Sequence, residues 1–325
     1  MIRYRRLFAA LAVAALCAPG TWLRTEVPRE VPRDIVMARI AGAAQTPLLD
    51  WRVEGVWQYS TGPSRKFGGY SGLFMLGDKN LRAFSDRGYR FTFPTPDTPD
   101  QDPAARVISL QALAEEPLNW LLWDIESATR DPATGDYWLG YEYTHAIHRF
   151  TIASVPDGVR MLGEEVEWSK NSGLEAMLRL SDGRFIAIPE GRSYAMIWAG
   201  DPIEGGKARR IPFENPAESY AVTDMAQLPD GRVLLLMRNL VWGLPPFAGL
   251  LAIADPPQPG STEAWVPRVV LRFDGVLPPE NYEGLAVREQ DDGTIAVWII
   301  SDDNVSVFQR TLVAKLVFDP GKQSD

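Results

Sequence analysis

Asn281-Tyr-Glu-Gly-Leu-Ala-Val-Arg-Glu-Gln-Asp-Asp-Gly-Thr-Ile-Ala-Val-Trp-Ile-Ile-Ser-Asp-Asp-Asn304 is the stretch on which the fold turns. It reads as strand, tight turn, strand. Asp291-Asp292-Gly293 makes the turn, because hairpin turns that need positive φ draw on Gly and tolerate Asp. The second half, Ile295 to Ile300, is unbroken apolar sequence, the pattern of a strand buried on both faces.

The same grammar occurs four times upstream. Ser71-Gly-Leu-Phe-Met-Leu turns at Gly77-Asp-Lys-Asn80 and ends at Ser85-Asp86-Arg87-Gly88. Asp124-Ile-Glu126-Ser-Ala turns at Pro132-Ala-Thr-Gly135-Asp136 and ends at Glu142. Gly173-Leu-Glu175-Ala-Met turns at Ser181-Asp-Gly183 and ends at Glu190-Gly191. Val222-Thr-Asp224-Met-Ala turns at Pro229-Asp-Gly231 and ends at Arg238. The lead positions 72, 126, 175, 224 and 283 recur about every 50 residues, a period that suits a four-stranded propeller blade. His148-Arg-Phe-Thr-Ile152, Arg160-Met-Leu and Ala195-Met-Ile-Trp198 are candidates for outer strands.

The expected fold is therefore all-β, a β-propeller of four-stranded antiparallel blades. Residues 45–320 accommodate five or six blades in one domain; six is the preferred count, with a blade closed by the N- and C-terminal strands. Closure would remove the sheet edges that invite aggregation. Two stretches read as surface loops: the proline-rich Pro94 to Pro103, and Asn239 to Ala248 with Trp242 and Pro245-Pro246. The composition agrees. Of 325 residues 46% are hydrophobic, enough for a large core, and 27 Gly and 26 Pro supply turns for many short strands.

Residues 1–22 read as a signal peptide. Arg3, Arg5 and Arg6 precede the apolar run Leu7 to Ala18, which is too short to span a bilayer, and Pro19-Gly20 follows. The expected location is periplasmic or secreted, with no membrane span in the mature chain. Cleavage would remove Cys17, the only cysteine, and leave a chain without disulfides. The net charge of −9 argues against nucleic acid as a partner.

In an antiparallel hairpin the start of the first strand and the end of the second lie at the same end. Each unit carries polar groups at both places: Glu126 with Glu142, Glu175 with Glu190, Asp224 with Arg238, Glu283 with Asp302 and Asp303, and Gly72 opposite Asp86 and Arg87. If these are innermost strands, the carboxylates of Asp86, Glu126, Glu142, Glu175, Glu190, Asp224, Glu283, Asp302 and Asp303 surround one mouth of the channel. Crowded carboxylates raise one another's pKa or recruit a cation, and Ca²⁺ tolerates irregular oxygen cages better than Mg²⁺. Arg87, Arg238 and Arg310 would bind an anionic substrate through their planar forks, or pair with neighbouring acids. Glu175, Glu283 and Asp224 are the candidates for the chemical step. His145, just beyond Glu142, could add a general acid or base, or simply pack in its loop. There is no G-x-S-x-G elbow and no P-loop.

Five motifs, in order, resemble the phytase-like family described as "esterase-like activity of phytase". They are Ser71-Gly-Leu with Ser85-Asp-Arg-Gly88, Asn171-Ser-Gly-Leu-Glu175-Ala, Tyr220-Ala-Val-Thr-Asp224-Met-Ala, Asn281-Tyr-Glu-Gly-Leu-Ala286, and Ser301-Asp-Asp-Asn304 with Gln309-Arg310-Thr-Leu312. The resemblance covers roughly residues 50 to 318. The chain departs from it in Ser127-Ala128 after Glu126 and in Asn239 after Arg238. It implies a propeller-type fold and hydrolysis of phosphate or carboxylic esters. The other reading of the residues is a non-catalytic, calcium-stabilised propeller that binds a ligand or a periplasmic protein.

Overall fold

The computed structural model describes residues 34–40, 48, 50–64, 66–98, 109–113, 123–163, 165–169 and 172–322. The expected signal peptide, Cys17 and much of the proline-rich loop lie outside them. Five antiparallel sheets make up a five-bladed β-propeller, the smaller of the two counts that the hairpin spacing admits. All five lie within one compact unit, residues 35–60 and 66–325.

The blades follow the chain. The first is β3 (Tyr70–Leu76), β4 (Asn80–Ser85), β5 (Tyr89–Pro94) and β6 (Ser109–Ala112). The second is β7 (Ile125–Arg130), β8 (Tyr137–Tyr141), β9 (Ala146–Phe150) and β10 (Pro156–Met161). The third is β11 (Leu174–Arg179), β12 (Phe185–Pro189), β13 (Tyr194–Trp198) and β14 (Arg209–Pro212). The fourth is β15 (Ala221–Gln227), β16 (Val233–Leu240), β17 (Phe247–Ala254) and β18 (Arg268–Arg272).

The fifth closes the ring. β19 (Asn281–Glu289), β20 (Ile295–Asp302) and β21 (Thr311–Phe318) are joined by β2 (Trp51–Ser60) and β1 (Val36–Arg39) from the other end of the chain. The terminal strands thus complete the last blade and leave no sixth. β2 pairs with β21 from Trp51 opposite Phe318 to Tyr59 opposite Thr311. The propeller begins at Val36, before the residue-45 boundary expected from the repeats, because β1 adds an outer edge to this sheet.

The apolar second strands behave as their sequence requires. β8 and β12 are buried along their whole length, and so is β20. A middle strand of a blade is covered by the neighbouring blades on both faces, so alternation would place polar groups in the core. Asn239 and Leu240 extend β16 rather than opening a loop, and pair with Ala248 and Phe247. The hairpin connection shrinks to residues 241–246. Among the described residues no helix is long and apolar enough to cross a membrane.

Candidate functional site

The first strands β3, β7, β11, β15 and β19 stand side by side around the axis, β19 returning to β3. Each carries one β-bulge at the same place. The register slips between Tyr70 and Gly72, Ile125 and Ser127, Leu174 and Ala176, Val222 and Asp224, and Tyr282 and Gly284. The extra residues are Ser71, Glu126, Glu175, Thr223 and Glu283. A bulge re-aims a side chain out of the pleat. Here it does so five times at one level, with a polar residue every time.

The lead positions read from the sequence are therefore one residue late in two blades. Ser71, not Gly72, and Thr223, not Asp224, match the three glutamates. Gly72 and Gly284 serve close approach. A Cβ on Gly72 would stand 2.8 Å from Cβ of Ala128, and one on Gly284 2.8 Å from Cβ of Leu73.

Asp224 has a different task from the one its place in the repeat suggests. It is fully buried and accepts from the N–H groups of Met225 at 2.8 Å and Leu285 at 2.7 Å, and from that of Leu73. An innermost strand has an unpaired edge, and a buried N–H on it needs an acceptor. One carboxylate thus ties β15, β19 and β3 together. Burial pushes its pKa up and the three N–H bonds oppose the rise. Its surroundings are backbone, not the other carboxylates.

The remaining acids gather above it. Burial is the first cause of a raised pKa in Glu126, Glu175 and Glu283. For Glu126 the charges of Glu175, Glu283, Glu142 and Asp124 add to the rise. Glu175 is pushed up to about 8, with Glu283 the leading charge against it and Arg238 opposing. Arg238 stands 3.4 Å from Oε1 of Glu283, and Asn281 donates to the same oxygen at 2.9 Å. The Ser71 hydroxyl also bonds Glu283.

Beside the three glutamates, oxygens of Asp124, Glu126 and Glu142 lie within 4.8 Å of one another. The Asp124 and Glu142 carboxyls interact; burial and then the Asp124 charge raise Glu142 to about 7. On the other side, burial lifts Asp86 to about 6 against the pull of Arg87. Burial also raises Asp302, with Glu283 and Asp86 adding to it. Gly69, at φ 69°, is the turn residue that admits Asp86, because a Cβ there would fall inside its carboxylate.

Other expected site residues are occupied locally. Asp303 accepts from the N–H of Gly69 at 3.1 Å and of Val305 at 3.0 Å, and from the Thr311 hydroxyl at 2.9 Å. Glu190 enters through its charge on Glu142 and Glu175. The Nε2 of His145 lies 3.0 Å from the Ser169 carbonyl, and its ring packs edge-on to Trp168. Arg87 donates to the Phe67 carbonyl at 2.8 Å and lies 3.5 Å from Asp86. Arg310 is clamped by the fully buried side chain of Glu280 at 2.6 Å. Arg238 pairs with a member of the bulge ring, Glu283.

Sequence reasoning missed Ser71, Thr223, Asp124, Asn281 and Glu280. Two of these left a signal. Polar-then-small pairs at 71–72, 126–127, 175–176 and 283–284 align the bulges without reference to charge, and Asp124 opens the second repeat two residues before Glu126.

Fold and site define a five-bladed propeller with a carboxylate-lined channel mouth. A phytase-like family model, described as esterase-like activity of phytase, matches residues 65–305, and the chain belongs to that family. No curated protein matches it. Among solved structures, hydrazine synthase of Kuenenia stuttgartiensis is similar at 13% identity and TM-score 0.38, over 80% of this chain and 65% of that one. The chain thus spans just under two thirds of that structure's length. A luciferin-regenerating enzyme aligns at 11% identity and TM-score 0.43 over 87% of this chain and 95% of its own. The WD40 propeller domain of Doa1 aligns at 10% identity and TM-score 0.41 over 84% and 99%. These likenesses bear on neither substrate nor mechanism.

Proposed function

We propose that this protein is an exported, cation-dependent hydrolase of phosphate or carboxylic esters, working at the acidic channel mouth. The observation that carries the reading is the ring of bulges, which brings Glu126, Glu175 and Glu283, from β7, β11 and β19, into one partly buried, mutually repelling group. Strand pairing alone does not need bulges at a common level.

The donors suit a hard divalent cation. All are oxygens, and the close triad of Asp124, Glu126 and Glu142 is the natural anchor. Asn281 supports a second contact: it is 1% exposed, donates through Nδ2 to Glu283 and Asp302, and leaves Oδ1 without a partner among the described residues. Ca²⁺ is the cation proposed. Bound there, it would polarise an ester oxygen and acidify water. Glu175 and Glu283 would take up or release the proton in the chemical step, with pKa values raised toward neutrality as that task requires. Arg238 would hold the anionic part of the substrate. Asp224 would hold the strands that carry the others.

The test is a panel of phosphomonoester, phosphodiester and carboxylic-ester substrates with Ca²⁺ or with chelator, comparing wild type, Glu126→Gln and Glu175→Gln. Turnover of one class that needs Ca²⁺ and drops in both variants is expected. Ca²⁺ binding with no turnover of any class would favour the non-catalytic, ligand-binding propeller instead.

A further inference from the structure

The other end of the channel is built differently. Below the Asp224 tie the five first strands open into a cavity of about 550 Å³. Leu73, Met225 and Leu285, whose N–H groups bond Asp224, are also in its wall. Asp224 therefore lies between the level of this cavity and that of the bulge ring. Leu73, Phe74, Met75, Leu178, Met225 and Leu285 give the cavity an apolar lining. Small-molecule sites have roughly 300–1,000 Å³ and this mixture of apolar wall with a few polar groups.

The charged groups are chiefly arginines, and Thr129, Ser181 and Gln227 add neutral polar groups. Arg130, Arg179 and Arg288 line the cavity against two acids, Asp131 and Glu289. Asp131 is already engaged by Arg179 at 2.9 Å. Arg130 donates from Nη1 to the Met75 carbonyl at 2.8 Å and feels the charge of Asp131, and its Nε is buried with no partner among the described residues. A buried guanidinium N–H without an acceptor is costly, and a carboxylate is the acceptor its fork matches.

We propose that this cavity binds a small organic anion with an apolar body, a medium-chain carboxylate in chemical class. Its head meets Arg130 and Arg179, and its chain lies against Leu73, Met225 and Leu285. The site is distinct from the acidic mouth and does not depend on a cation.

The probe is octanoate, titrated into the purified chain by calorimetry, with 1-octanol and acetate as the neutral and the short analogues. One-to-one binding of octanoate is expected, with each analogue weaker by about tenfold or more. Arg130→Gln should weaken octanoate by about tenfold and leave octanol unchanged. Glu175→Gln, at the other mouth, should change neither. A diazirine-bearing octanoate should cross-link wild-type peptides that contain residues 128–133 or 225–231. Absence of octanoate binding at millimolar concentration, equal binding of octanoate and octanol, indifference to Arg130→Gln, or cross-links confined to other peptides would each overturn the proposal.

Discussion

Glu175→Gln should make the cation-free protein more stable at neutral pH. An acid whose folded pKa is raised above its unfolded value favours folding less and less as pH rises between the two. For Glu175 that window runs from its ordinary 4.5 to about 8. Below 4.5 both states are protonated and the residue costs nothing. At pH 7 the unfolded chain has lost the proton and the folded chain must take it up. The cost is about 3 kcal/mol, from 1.36 kcal/mol per pKa unit. Glutamine resembles the protonated acid and carries no such cost. The variant should therefore gain about 3 kcal/mol at pH 7 in chelator, roughly 6 °C or more in melting temperature for a chain of this size. The gain should vanish near pH 4.5 and grow toward pH 8. Wild type itself should lose stability over the same range, with Asp86 (about 6) and Glu142 (about 7) contributing in the same direction. The assay is thermal or urea unfolding at several pH values in chelator. If Glu175→Gln is no more stable than wild type at pH 7, the side chain is not paying for burial beside like charges and the electrostatic reasoning fails.

Asp224→Asn should cost about 3 kcal/mol in urea unfolding, because an amide cannot accept from three converging N–H groups; a loss below about 1 kcal/mol would mean that the carboxylate does not tie β3, β15 and β19. Gly72→Ala and Gly284→Ala should each destabilise by about 1–3 kcal/mol through overpacking, whereas Gly200→Ala, with open space around its Cβ position, should be neutral within about 0.5 kcal/mol. Equal effects at all three glycines would contradict the close approach of the inner strands. Burial lowers His148 to about 4, so the histidine must charge on acid unfolding; stability it supports is lost as pH falls from about 6.5 toward 4. His148→Phe, stacked among Tyr141 and Phe150, should therefore flatten the acid limb of a stability–pH profile, and an unchanged limb would assign that limb to other groups.

Much of the propeller was legible because its signals are local. Asp-Gly turns and the unbroken apolar run at Ile295 to Ile300 are set by φ and by burial on both faces. Blade count was not, since it depends on whether Trp51 to Ser60 starts a new sheet or completes the last one. That choice is a non-local pairing with Thr311 to Phe318, which no hairpin pattern encodes. The mouth shows the same division. Strand ends can be assigned to one rim from the hairpins, so the proximity of Glu126, Glu142, Glu175, Glu283 and Asp302 is legible in the sequence. The bulge at Thr223 lacks the polar-then-small pair that marks the other four, and the conspicuous Asp224 follows it directly. His145 and Arg310 sat at plausible ends too, but the Ser169 carbonyl and Glu280, distant in sequence, take their polar atoms.

The most direct test of a cation-binding acidic mouth is calorimetric titration of Ca²⁺ into chelator-stripped protein at pH 7, in two buffers of different protonation enthalpy. Carboxyls held protonated by burial and crowding must release protons when the cation arrives. Binding is expected with a heat that differs between the buffers by the release of at least about one proton per cation, and Glu126→Gln should weaken it sharply. No binding, or binding with the same heat in both buffers and no response to Glu126→Gln, would contradict the assignment.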